Sequence, residues 1–229
     1  IFMSFTIYSE KKGEESARQY AYRTLRRNIL LLDMHPGEPI SEKEIATSLG
    51  LSRTPVREAL LDLCRERLIE IYPQRGTRVA LMDGRLVEQG RFLRETVELA
   101  ILELACRECG KFEIDKLEEN LELQRQLAKN GEVIGFFQCD SDFHRLLYIG
   151  CGKETVYDAI GFYLPHFIRE RMLRLDMFNP YDLLSDHEQI LEAVKERDCR
   201  KAKAHLKQHL DRVMCDQKIL KEAYPNYFV

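Results

Sequence analysis

No stretch of this 229-residue chain approaches the ~20 consecutive apolar residues that a membrane-spanning helix requires, so no such helix is expected. The opening IFMSFTIYSE is mildly apolar, yet it lacks a basic leading segment and a full apolar core, and it is not read as an export signal. Internal repeats and low-complexity tracts are missing too. Paired cysteine motifs are scarce: the seven cysteines, Cys64, Cys106, Cys109, Cys139, Cys151, Cys199 and Cys215, are odd in number and scattered. That usage suits a reducing cytoplasm better than a disulfide framework. Cys106 and Cys109 form one CxxC with no second pair to complete a zinc ribbon. Both lie in the helical run LAILELACREC, which makes them two packed or surface thiols. The HExxH signature of a metallohydrolase is also lacking.

Positive charge is in deficit overall, with a formal net charge of -3. Its distribution matters more than its sum. Residues 1–82 carry 13 Lys+Arg against 11 Asp+Glu, whereas the remainder carries 22 against 27. The basic end is therefore the N-terminal one.

What is present reads as two domains. EESARQYAYRTLRRNILLL, residues 14–32, has helical periodicity with Ala21, Leu25, Ile29 and Leu32 on one stripe, and His35-Pro36-Gly37 breaks it. Ser41 caps a short second helix, with Glu44 placed to complete a capping box, and Gly50 ends it. A third helix spans about residues 52–67 and buries Val56, Leu60 and Leu63. LIEIY and TRVAL, separated by PQRG, then form a two-stranded hairpin. Three helices and a hairpin make a winged helix-turn-helix over residues 1–82. After MDGR only helix is expected: 86–109, 114–130, 133–149, 154–175, 181–197 and 200–223. The fold class is mainly α, with the winged domain joined to an all-α bundle over residues 83–229.

The third helix opens with LGLSRTPVREAL. Ser52 can accept from the backbone N–H groups of the first turn. Pro55 falls where amides have no intrahelical partner, so it starts the helix rather than breaking it. Arg53, Thr54 and Arg57 then project from the end that enters a major groove in this architecture, and the arginine fork matches guanine O6 and N7 or a phosphate. Lys43 at the start of the second helix suits a phosphate, and Arg75-Gly76 tips the wing, where glycine lets backbone approach DNA. Arg26 and Arg27 lie on the polar face of the first helix. Any one of these arginines alone would pass for an ordinary surface residue.

Residues 19–81, above all HPGEPISEKEIATSLGLSRTPVREALLDLCRERLIEIYPQRGTRVA, resemble the DNA-binding domain of GntR-type bacterial transcription regulators. The helical remainder is similar to the FCD-type domain of the FadR subgroup. The resemblance implies DNA contacts from Lys43, Ser52, Arg53, Thr54, Arg57, Arg75 and Gly76. Arg67 departs from it, standing where the family usually has glycine.

In the helical part, Asp140 and His144 are one turn apart beside apolar Phe143, Leu146 and Leu147. His209 falls on the stripe Ala202, Leu206 and Val213, and His187 lies on the helix before it. One carboxylate and three imidazoles converging in a bundle make a divalent-metal site with positions left for a ligand. Taken singly, each histidine reads as a packed or surface group. The resemblance adds weight, because metal-binding FadR-type members use an Asp-x-x-x-His pair and one histidine on each of two later helices. His205 competes with His209, and Asp142 with Asp140, although Asp142 falls on another face. Zinc is the first expectation, with nickel or manganese compatible. The resemblance also implies an effector-binding Arg94, with Glu98 one turn on, and Lys153 departs from the family's usual asparagine. The function expected is a homodimeric, cytoplasmic repressor of a palindromic double-stranded DNA operator, controlled by a small organic acid. A metal-dependent hydrolase and a purely structural metal are the alternatives.

Overall fold

The computed structural model describes residues 5–229; residues 1–4, part of the segment tested above for an export signal, lie outside the described residues. The chain divides into two compact units. One comprises residues 1–87, 165–172 and 219–229, and the other residues 88–164 and 173–218.

In the first unit, α1 (Ala17–Leu30) starts at Ser16, whose hydroxyl accepts from the Gln19 N–H while the Gln19 side chain returns a bond to the cap. Next come β1 (Pro39–Ile40), α2 (Glu42–Leu49), α3 (Arg53–Arg65), β2 (Ile69–Tyr72) and β3 (Gly76–Val79). Ser41 caps α2 by accepting from Glu44 N, but only this half of the expected capping box forms. Gly50 ends α2 at φ +65°, a left-handed conformation that costs glycine nothing. Ser52 holds the N-cap position of α3 with extended backbone, yet its side chain makes no capping bond, contrary to expectation.

The wing has one strand more than the hairpin pattern foretells. Pro39–Ile40 pairs antiparallel with β3, so the sheet order is β1-β3-β2. A two-residue strand carries no alternation, which is why the sequence does not announce it. Leu25, Ile29, Ile45, Val56, Ala59, Leu60, Leu63, Leu68 and Val79 interlock α1, α2, α3 and the sheet into one core. Each large side chain so buried contributes roughly 1.5–3 kcal/mol.

Arg67, the residue standing in place of a glycine, adopts φ +59°. Its carbonyl accepts from His166 Nε2 at 3.0 Å, while His166 Nδ1 accepts from the Asp83 amide at 3.1 Å. Arg169, fully buried, donates to the Ala80 carbonyl at 2.7 Å. These bonds hold the left-handed junction after α3 that the missing glycine would otherwise favour.

The helices that follow are α4 (Gly84–Glu108), α5 (Lys111–Asn130), α6 (Val133–Gly150), α7 (Glu154–Ile160), α8 (Pro165–Met177), α9 (Tyr181–Lys195) and α10 (Cys199–Ala223); they build the second unit, except that the start of α4, residues 165–172 of α8 and the end of α10 belong to the first. The single helix expected over 154–175 is two. Gly161–Tyr163 forms a 3-10 turn, and Pro165, which cannot donate an N–H, restarts the chain at the first position of α8. Phe136, Phe143, Leu102, Leu206, Ile190 and Ala202 lie in the interior of this unit, on the stripes their spacing predicts.

Candidate functional site

Two groups of residues carry the chemistry. On the first unit, Ser52, Arg53, Thr54 and Arg57 are all exposed at the N-terminal end of α3, because Val56, Ala59 and Leu60 turn the opposite face inward. Lys43 is exposed in the first turn of α2, and Arg75 and Gly76 are exposed at the wing tip, where Gly76 has φ +96°. Arg53, Arg57, Lys43 and Arg75 form no ion pair among the described residues. By contrast, Arg18 and Arg65 bind Asp62, Arg23 binds Glu15 and Arg26 binds Glu66. Arg27 lies over the Tyr8 ring. Arg26 and Arg27, on the polar face of α1, are thus engaged within the fold.

On the second unit, Asp140 and His144 of α6, His187 of α9 and His209 of α10 bring one ligand atom each within 4.8 Å of one another, all buried. His144 Nε2 lies 3.2 Å from His209 Nε2, and His187 Nε2 lies 3.7 Å from Asp140 Oδ1. Two nitrogens on a tetrahedral zinc stand about 3.3 Å apart, so the observed spacing fits such an ion. His205 is only half-buried one turn away, and Asp142 is exposed; neither joins the group.

The opposite ring nitrogens decide which tautomers are present. His144 Nδ1 meets Glu98 Oε2 at 2.8 Å, a carboxylate that can only accept, so Nδ1 carries the hydrogen. Asn120 Nδ2 donates to the Cys139 carbonyl at 3.0 Å, and Gln124 Nε2 donates to Asn120 Oδ1 at 2.7 Å. That leaves Gln124 Oε1 facing His187 Nδ1 at 2.9 Å, which must donate to it. Asp186 lies 3.5 Å from His209 Nδ1 and is itself held by Arg212 at 2.5 and 2.8 Å. The His144 and His187 rings are therefore oriented with their Nε2 lone pairs toward the cluster, the arrangement that outer partners impose on metal-binding histidines. Burial pushes His209 down to about 3, and burial followed by the Arg94 charge lowers His144, so both stay neutral. One carboxylate and three imidazole nitrogens facing one point are a donor set suited to a divalent cation.

Arg94 is buried and paired with Glu98, Nε to Oε1 at 2.6 Å. Burial opposes ionisation of Glu98, but Arg94 and His144 outweigh it and hold its carboxyl below the usual range. Sequence reasoning missed three participants, Gln124, Asp186 and Tyr148. The Tyr148 hydroxyl is buried without a hydrogen-bond partner among the described residues and lies within electrostatic reach of Glu98 and Arg94. Its signal was its position one turn beyond His144 on the same helix.

Comparison with known proteins places these features in a family. Residues 17–79 match the model of bacterial regulatory proteins of the gntR family, and residues 91–212 match the FCD domain. An uncharacterised HTH-type transcriptional regulator in an unstable DNA locus of Streptomyces ambofaciens is 34% identical over 212 residues, 92% of this chain and 89% of the relative. The HTH-type transcriptional repressor RspR of Escherichia coli (strain K12) is 30% identical over 224 residues, 97% and 98% of the two chains. GlaR of the same strain, also an HTH-type transcriptional repressor, is 27% identical over 200 residues, 82% and 90% of the two. The solved structure of E. coli McbR/YncC has the same fold, with a TM-score of 0.77 at 21% identity, covering 92% of this chain and 99% of that one. The chain belongs to the GntR family of bacterial regulatory proteins and is a transcriptional regulator of the GntR/FCD type.

Proposed function

We propose that the protein is a dimeric repressor whose operator binding is governed by a small carboxylate held in the helical unit. A two-fold dimer presents two copies of α3 to successive major grooves, which requires an operator of matching two-fold symmetry with half-sites about 34–36 Å apart. Arg53, Thr54 and Arg57 read base edges, and Ser52, Lys43, Arg75 and the Gly76 backbone position the protein on phosphates. Two relatives bear the word repressor in their names, which supports that sign of control.

Asp140, His144, His187 and His209 hold a divalent ion, zinc first, and the observation that carries this reading is their convergence within 4.8 Å, with His144 and His187 oriented from behind by Glu98 and Gln124. When bound, the ion supplies a positive charge and open positions for carboxylate oxygens. Arg94, fixed by Glu98, and the Tyr148 hydroxyl offer donors to the same anion. An effector so held shifts the operator-competent population only through different affinity for the two states. Against a hydrolytic reading, the adjacent carboxylates Glu98 and Asp186 are each paired with an arginine, and Glu98 also accepts from His144.

The test is zinc stoichiometry by competition with a chromophoric chelator. The wild-type chain should bind one zinc, and His187→Ala and His209→Ala should each lose it. Full occupancy in both variants overturns the site.

A further inference from the structure

α3 buries its large apolar side chains with one exception. Val56, Ala59, Leu60 and Leu63 are at or below 1% exposed, whereas Leu61 is 47% exposed. At about 100° per residue, the helix carries Thr54, Glu58, Leu61 and Arg65 on the pole opposite that buried face, and all four are exposed. The two charged members of the pole have opposite charges at hand on their own unit. Arg65 binds Asp62 at 2.8 Å, a carboxylate that Arg18 of α1 also holds with bonds of 2.8 and 2.7 Å. Glu58 lies within the field of the same Arg18.

A single exposed leucine is ordinary on a protein surface. Leu61 differs by its place. It follows Arg57 by one helical turn and Thr54 by two, ~10.5 Å along the axis. Exposed Arg53 and Arg57 on the same helix, Lys43 on α2 and Arg75 on the wing supply the charge complement of a polyanion. Duplex DNA is therefore the neighbour that fits this face, and the role of Leu61 rests on the reading of α3 as the DNA-facing helix. Donors and acceptors dominate the base edges of a major groove, and the one apolar group there is the 5-methyl of thymine. Leucine forms no hydrogen bond with its side chain. What it gains in the groove is apolar surface removed from water, and a base edge without that methyl offers it only polar groups to desolvate.

We propose that Leu61 is a specificity residue that closes on the 5-methyl group of one thymine in each operator half-site. With ~10.5 Å between the residues and ~3.4 Å per base-pair step, that thymine lies about three base pairs from the base met by Thr54. The base met by Arg57 falls between them. Arg57 selects by hydrogen bonds and Leu61 by shape and apolar contact, so the two read neighbouring positions by independent means.

The experiment selects duplexes from a randomised pool with the full chain and then measures affinity for the selected operator by anisotropy. One thymine per half-site should be fixed at the stated distance. Replacing it by uracil, which removes only the methyl, should weaken wild-type binding about fourfold, the effect of one buried methyl group. Leu61→Ala should lose at least as much on the thymine operator, and its affinity should then change by less than about 1.5-fold on exchange for uracil, because the contact is already gone. Sedimentation should show the variant as dimeric as the wild type. Wild-type binding indifferent to uracil at every thymine of the half-site overturns the proposal. So does a Leu61→Ala chain that keeps the full methyl effect, or one whose loss traces to a weakened dimer, which would make Leu61 a contact with a second copy of the chain. Arg53→Ala and Arg57→Ala separate this role from the reading beneath it. Full affinity in both removes α3 from DNA altogether; lost affinity in both with a silent methyl removes Leu61 alone.

Discussion

At the scale of single residues, the buried polar side chains do the most specific work. Gln124 is outside the ligand set, yet its side-chain oxygen faces His187 Nδ1 and so requires the Nδ1 hydrogen that leaves Nε2 as an acceptor. Gln124→Leu should keep the bundle folded and weaken zinc binding by about 10–100-fold, the usual cost of losing an outer partner; competition titration measures it, and unchanged affinity removes Gln124 from the site. The four cluster residues were legible in the sequence, since the Asp-x-x-x-His turn and the stripe through His209 both follow from helical spacing. Gln124 and Asp186 were not, nor was the bond from Glu98 to His144, because each sits on a different helix from the histidine beside it and no local pattern links them. His166 makes a second residue-scale prediction. Burial, followed by the Arg169 charge, pushes it down to about 4 against the favourable Arg67 carbonyl and Asp83. An unfolded histidine titrates near 6.5, so below that pH the unfolded chain binds a proton that the folded chain refuses. The neutral ring's full contribution is present above pH 6.5 and is lost progressively as pH falls to about 4, by roughly 3 kcal/mol. His166→Gln should flatten that part of the stability profile in urea unfolding at stepped pH; an unaltered slope sinks the assignment.

At the scale of elements, α3 separates the residues that hold the fold from those proposed to meet DNA. Its inward face, Val56, Ala59, Leu60 and Leu63, is buried, whereas Ser52, Arg53, Thr54 and Arg57 make no bond on which the helix depends. Ser52 is the sharpest case, because an N-cap serine normally contributes about 1 kcal/mol through a bond that is missing here. Ser52→Ala should therefore change stability by less than about 0.5 kcal/mol while lowering operator affinity. Arg53→Ala and Arg57→Ala should each cost roughly 1–3 kcal/mol of operator binding and leave the dimer intact. Anisotropy with a labelled operator and sedimentation measure the two quantities; full affinity in both arginine variants ends the recognition-helix reading. The elements were legible where periodicity ran long, as in α1, α3, α6 and α10. They were not at Pro39–Ile40, too short to show a period, or at 161–164, where apolar spacing continued through a turn and only Pro165 marked the break.

At the scale of the whole molecule, the question is whether the ion serves the fold or the response. Each unit has its own apolar core: Leu25, Ile29, Leu60 and Leu63 in one, Phe136, Phe143, Ile190 and Leu206 in the other, all at or below 1% exposed. A bundle of that kind does not need a metal to stay folded in the way a zinc finger does. Ligand linkage still adds stability, about 4 kcal/mol when zinc stands a thousandfold above its dissociation constant. The chelated protein should therefore melt earlier yet keep its helical content and bind operator within about threefold of the zinc-loaded form, a shift of under 1 kcal/mol. What it should lose is the response to a small carboxylate, since Arg94 is already half-neutralised by Glu98 and cannot replace the ion's charge. Operator titrations with and without zinc, across a panel of small carboxylic acids, separate the outcomes. Loss of operator binding together with helicity makes the ion structural, and an undiminished acid response after chelation removes it from the sensing site. If zinc restores the response in the wild type but not in Arg94→Ala, the ion and Arg94 act on one ligand, because either alone leaves a carboxylate only partly held.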